Sequence, residues 1–148
     1  MTYSRELPPP RDLVLQMEAS GVGALFLFYG QFDIRLEDWG VDDLLEVLEE
    51  WQVPVFLCPI DRRAQRTDAT DWSNVVRICR KFPELPVVVT ENRIYKSQRA
   101  VYAALDSCPN LKIDLSALWL HHRIEFICRE WGAERLIWGS QLPERTPG

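Results

Sequence analysis

Five short apolar runs, separated by amphipathic helical stripes, constrain the fold of this chain more than any other feature. The runs occupy residues 24–29, 55–58, 87–89, 111–115 and 135–138. Successive runs start roughly 24 to 32 residues apart. After the first, Val41, Leu44, Leu45, Leu48 and Trp51 recur at helical spacing, with Asp42, Asp43, Glu46, Glu49 and Glu50 on the opposite side. Trp72, Val75, Val76, Cys79 and Phe82 make a second stripe, and Val101, Ala104, Leu105 and Cys108 a third. Ile124, Ile127, Cys128 and Trp131 make the fourth. Near-continuous apolar runs of this length fit strands covered on both faces. Their alternation with helices predicts βαβ units, hence a parallel sheet with right-handed crossovers.

Local signals mark where elements start and stop. Three consecutive prolines make the residues up to Arg11 a stiff, extended lead-in. A short helix over residues 12–19 carries Leu13, Val14 and Met17, and Ser20-Gly21-Val22-Gly23 ends it. Pro54 opens the second run and Pro59 closes it, proline being tolerated at strand starts. Residues 61–70 read as a loop, after which Thr70 or Asp71 can cap the next helix. Residues 82–86 form a turn, Ser97 is placed to cap the helix before residue 108, and Gly132 stops the last helix.

Two architectures accommodate five parallel strands with four to five helices in one domain. One is an open α/β sheet. The other is a partial TIM-barrel-like (β/α) repeat, an arc of an eight-stranded barrel. A complete barrel takes about 250 residues, and this chain has 148. An arc leaves strand edges uncovered, so a homo-oligomer or a missing N-terminal half is expected to cover them.

Composition narrows the partners. With 47% apolar and 26% charged residues, the chain is globular and not disordered. A formal net charge of -5 and the absence of a basic stripe argue against nucleic acid, since Arg62, Arg63 and Arg66 are interrupted by Asp61 and Asp68. No segment approaches ~18 consecutive apolar residues, so no membrane span is expected. The first ten residues lack the apolar core of a signal peptide. Cys58, Cys79, Cys108 and Cys128 contain no Cys-x-x-Cys pair. Each lies in or beside an apolar stretch, which fits reduced core thiols in a cytoplasmic protein. A small-molecule ligand is the remaining class of partner.

Common catalytic signatures are missing. Gly21-Val-Gly23 precedes its strand and lacks the third glycine of a dinucleotide fingerprint. Gly139-Ser140-Gln141 lacks the Gly-x-Ser-x-Gly pattern of a nucleophile elbow. His121 and His122 are neighbours on a helix start, about 100° apart, and cannot both face one metal.

The remaining signal lies at the strand ends. Phe82-Pro-Glu-Leu-Pro-Val-Val-Val89, Cys108-Pro-Asn-Leu-Lys-Ile-Asp-Leu-Ser116 and Gly132-Ala-Glu-Arg-Leu-Ile-Trp-Gly-Ser140 follow one another in order. Together they resemble the second half of the amidohydrolase-related TIM-barrel family of metal-dependent hydrolases and decarboxylases. The likeness runs from about Gly23 to Pro143 and corresponds to the fourth through eighth barrel strands. It implies a zinc or other divalent metal held by a His-x-His pair on the first strand, a His after each of the fifth and sixth strands, and an Asp after the eighth.

By that register the last three ligand positions fall at Cys58, Glu91 and Gln141. Cys and Glu can bind zinc, but Gln is a neutral, weak ligand and cannot serve as a carboxylate base. The expectation is therefore a hydrolase-like barrel segment with a degenerate metal site and no bound cofactor. Glu91, Asp114 and Gln141 are the catalytic candidates. Cys58, Asp61, Arg93, His121 and Ser140 are expected to line the binding face. Two rival readings stand beside this one: a non-catalytic binding or assembly module, and an active hydrolase or decarboxylase with a non-standard site.

Overall fold

A computed structural model of the chain describes residues 8–30, 32, 34–59, 70–90, 98–115 and 122–139. Five helices alternate with five strands: α1 (Pro10–Ala19), β1 (Leu25–Leu27), α2 (Asp38–Glu50), β2 (Val55–Leu57), α3 (Trp72–Lys81), β3 (Val87–Val89), α4 (Arg99–Ser107), β4 (Leu111–Asp114), α5 (Arg123–Trp131) and β5 (Leu136–Ile137). A 3-10 turn, Ala133–Arg135, leads into β5. All neighbouring strands are parallel and lie in the order β1-β2-β3-β4-β5.

That order separates the two architectures. A doubly wound open sheet reverses its strand order at a switch point and so carries helices on both faces. Here the order never reverses. Successive right-handed crossovers then return on the same side, and the helices collect on one face, as in a (β/α) barrel. The core agrees with this. From the strands it takes every second residue, Leu27, Val55, Leu57, Val87, Val89, Leu111 and Ile113, packed against Leu44, Leu48, Ile78, Leu105 and Ile127 of the helices. The open-sheet alternative is set aside.

The intervening strand residues, Phe26, Phe56, Val88 and Lys112, share the opposite face. This corrects the expectation of a strand covered on both sides at β1, whereas β3 is buried on both faces, with Val88 inside as well. Phe26 is 51% exposed, and its ring stacks on that of Phe56 at 4.4 Å between centroids. In a closed barrel this face would be the interior. An aromatic pair satisfies the apolar signal of a buried strand whether or not the barrel closes around it.

Helix ends follow local chemistry. Asp71 caps α3 by accepting from the backbone N–H of Asn74 at 3.1 Å. Gly132 ends α5 at φ +93, where a side chain would be strained. The lead-in expectation needs one correction: α1 begins at Pro10, because proline fits the first helical position, whose N–H has no partner in any case. Ser97, the expected cap of α4, lies outside the described residues. Gln98 precedes the helix and makes no side-chain cap.

Three helical or strand assignments also change. Asp42, expected on the solvated side of α2, is only 8% exposed. Arg77 donates to both its oxygens at 2.9 and 3.0 Å, and Lys81 reaches it at 2.7 Å. Ile124, expected on the apolar stripe of α5, is exposed, and Arg123 is buried in its place. Trp138 is 71% exposed instead of ending a covered strand, since β5 stops at Ile137.

Polar staples hold the connections behind the sheet. The Asn110 side-chain amide donates to the carbonyls of Cys79, Phe82 and Leu85, tying the turn before β3 to the turn before β4. Buried Arg135 donates from Nε to the carbonyl of Leu111 at 2.8 Å, and from Nη2 to those of Leu105 and Cys108. It closes the C-terminal end of α4, where helix carbonyls lack intrahelical partners.

Candidate functional site at the carboxyl ends of the strands

The C-terminal edge of the arc carries one continuous row of polar side chains. Leu57, Val89 and Ile113 are register partners, so the residues one step on, Cys58, Thr90 and Asp114, are level with each other. Backbone bonds from Cys58 to Leu27 and from Thr90 to Leu57, both at 3.0 Å, carry the ladder to that point. By strand alternation the three side chains share the inner face with Phe56 and Val88. All three are buried: a thiol, a hydroxyl that donates to the Leu57 carbonyl at 3.3 Å, and a carboxylate.

Asp114 ends β4 opposite Ile137 of β5. Its carboxylate packs on the α-carbon of Gly139, where an added Cβ would overlap Oδ1 and lie 2.8 Å from Oδ2. Glycine at 139 is thus required by close approach and not by its φ angle. A shallow cleft at the end of β1, lined by Tyr29, Ile34, Leu36, Glu37 and Asp71 among others, lies along the same edge.

Of the sequence candidates, Cys58 and Asp114 are therefore brought onto one face. Glu91, Gln141, Asp61, Arg93, His121 and Ser140 lie outside the described residues. His122 is described: it is exposed, adopts φ 55 and places Nδ1 3.4 Å from Glu125. Among the described residues no group of three His, Cys, Asp or Glu side chains lies close enough to hold a metal ion. No helix among them is long and apolar enough to cross a membrane.

Cys58, Cys79 and Cys108 are buried free thiols, and Cys128 is half-buried. Burial, with Cys108 alongside, pushes the Cys79 thiol far above the ordinary thiol range. Burial likewise raises Cys108. Sequence reasoning missed two residues near this edge. Thr90 offered no signal beyond its place after three valines. Arg123 had one: it stands four residues before Ile127 and so shares its inward face.

A one-sided, sequentially ordered parallel sheet, with its polar groups at the carboxyl ends of the strands, defines a (β/α)-barrel protein. The chain belongs to the amidohydrolase family: the family profile described as amidohydrolase matches residues 11–144. In structure it is similar to an uncharacterized TIM-barrel protein from Bordetella bronchiseptica, with a TM-score of 0.68 and 18% sequence identity. That match covers 95% of this chain and 53% of the other, so the chain spans about half the length of the solved barrel. At this identity the likeness establishes fold alone. No curated protein matches the chain in sequence.

Proposed function

We propose that this arc keeps the amidohydrolase scaffold but does not itself assemble the family's divalent-metal site. The observation that carries the reading is the row at the strand ends. Where the resemblance calls for a histidine after the fifth barrel strand, the chain places Cys58, buried beside Thr90 and Asp114. The other two positions by register are Glu91 and Gln141. Replacing imidazole, imidazole and carboxylate by thiol, carboxylate and neutral amide changes the donor set. It also removes the carboxylate that would take a proton from metal-bound water. These residues do not fit the family's metal, and no hydrolytic step is derived through one.

Metal analysis of the purified chain after incubation with zinc tests this directly. Sub-stoichiometric zinc, unchanged in Cys58→Ala and Glu91→Ala, supports the reading. One zinc per chain that both variants lose overturns it.

The inner-face pair of exposed Phe26 and half-buried Phe56 favours a second reading, an assembly module. β1 and β5 are edge strands, and an aromatic inner face beside open edges calls for a covering surface. That surface is a second copy of the chain or the remaining strands of a barrel. Sedimentation of the chain as a dimer, returning to monomer in Phe26→Ser, supports self-association. A wild-type monomer at all concentrations leaves covering by other barrel strands.

A further inference from the structure

Two guanidinium groups are buried in the last third of the chain, and they are used in opposite ways. Arg135 spends its Nε and Nη2 on three backbone carbonyls. Arg123 is 3% exposed, yet among the described residues neither its Nε nor its Nη2 has a hydrogen-bond partner. The ion pairs of the described residues do not include it; the nearest acid in sequence, Glu125, faces His122. A buried cation without a counter-charge is unfavourable, and its unmet N–H groups add to that. Burial lowers the Arg123 pKa, with Tyr102 opposing the shift, but a guanidinium remains protonated at neutral pH.

Its position gives the unmet charge a direction. Arg123 opens α5, on the connection that leaves the C-terminal end of β4. Tyr102 of α4 is close enough to act on it electrostatically. The Tyr102 hydroxyl donates to Oε1 of Gln98, the residue preceding α4. Neither Gln98 nor His122 caps its helix with a side chain. The amino ends of two nine-residue helices, each carrying partial positive charge, thus accompany the guanidinium at this corner. Nε and Nη2 form a single edge of the guanidinium with parallel N–H bonds, the edge that matches two oxygens of one oxyanion.

We propose that Arg123 is an oxyanion-binding residue, taking a carboxylate or phosphate group of a small ligand through its Nε–Nη2 edge beside the amino ends of α4 and α5. The ligand supplies the counter-charge that the ion pairs of the described residues do not, and accepts both unmet bonds. This site is independent of the metal-position argument above, since it uses none of Cys58, Glu91 or Gln141.

Thermal unfolding of the full chain tests it, in sodium acetate and in inorganic phosphate, against sodium chloride of equal ionic strength. At least one oxyanion is expected to raise the wild-type midpoint by about 5 °C near saturation. Which of the two does so tells carboxylate from phosphate. Arg123→Met should abolish the response and, in chloride alone, should unfold no earlier than wild type, because an apolar side chain replaces an unmet charge. Arg123→Lys keeps charge but loses the fork, and should need at least tenfold more anion for half the shift. The proposal is overturned by equal wild-type responses to oxyanions and chloride, by an unchanged response in Arg123→Met, or by a lower Arg123→Met midpoint in chloride. If Arg123→Met does not fold, the Arg123→Lys titration decides alone.

Discussion

The carboxylate of Asp114 rests on the α-carbon of Gly139, so the ends of β4 and β5 close on each other with no room for a side chain between them. The candidate edge is thus closely packed at its last strand pair. Gly139→Ala must displace either the Asp114 carboxylate or the chain after β5. We expect a loss of about 1–3 kcal/mol of stability, the usual range for inserting a group into a packed site. Urea unfolding of the variant measures it, and an unchanged midpoint would mean that the strand ends have slack.

Asp42 joins α2 to α3 through two cations, Arg77 and Lys81. Asp42→Ala leaves Arg77 with Asn74 and the Leu36 carbonyl only. Because Lys81 is half exposed, water screens its share, and the expected loss is about 1–3 kcal/mol. A double-mutant cycle with Arg77→Met should return most of that loss as coupling energy. Additive effects would show that the pairing contributes nothing.

Arg135 differs from Asp42 in serving backbone instead of side chains. Arg135→Met strips donors from the carbonyls of Leu105, Cys108 and Leu111 and leaves them buried. A loss of about 2–4 kcal/mol is expected. Hydrogen exchange should localise the effect, with amides of α4 and β4 losing protection before those of β1 and β2.

Stability should also fall at alkaline pH. Burial raises the thiol pKa of Cys79 and of Cys108 above the ordinary value of 9.0. Above that value the unfolded chain releases protons that the folded chain keeps, so rising pH favours unfolding. Below it both states hold the protons, and these thiols contribute no pH dependence. Each thiol adds a slope of up to about 1.4 kcal/mol per pH unit above its unfolded pKa. Urea unfolding at pH 8 and pH 10 measures the slope, and Cys79→Ala should flatten it even where it lowers stability overall.

Much of the fold was legible because its signals are local. The apolar runs, the helical stripes, the Asp71 cap and the Gly132 stop depend only on neighbours within a turn or two. The errors share a different cause. Asp42 and Glu46 look alike in sequence, and only the approach of Arg77 from another helix separates them. Ile124 belongs to the apolar stripe of α5 by type, yet the helix is rotated so that Arg123 and Ile127 face inward. The site was legible in its location at the strand ends and in Cys58 and Asp114, and illegible in Thr90, whose role comes from register with its neighbours.

The sequence alone therefore determined the order and type of the elements, the parallel sheet and the family, since hydrophobic period and strand-end motifs are written along the chain. Tertiary structure decided which face the helices cover, that Phe26 and Phe56 stay on the open side, and that one buried guanidinium is satisfied while the other is not. These outcomes depend on strand order and helix rotation, which arise only when distant segments pack, and no local pattern encodes them.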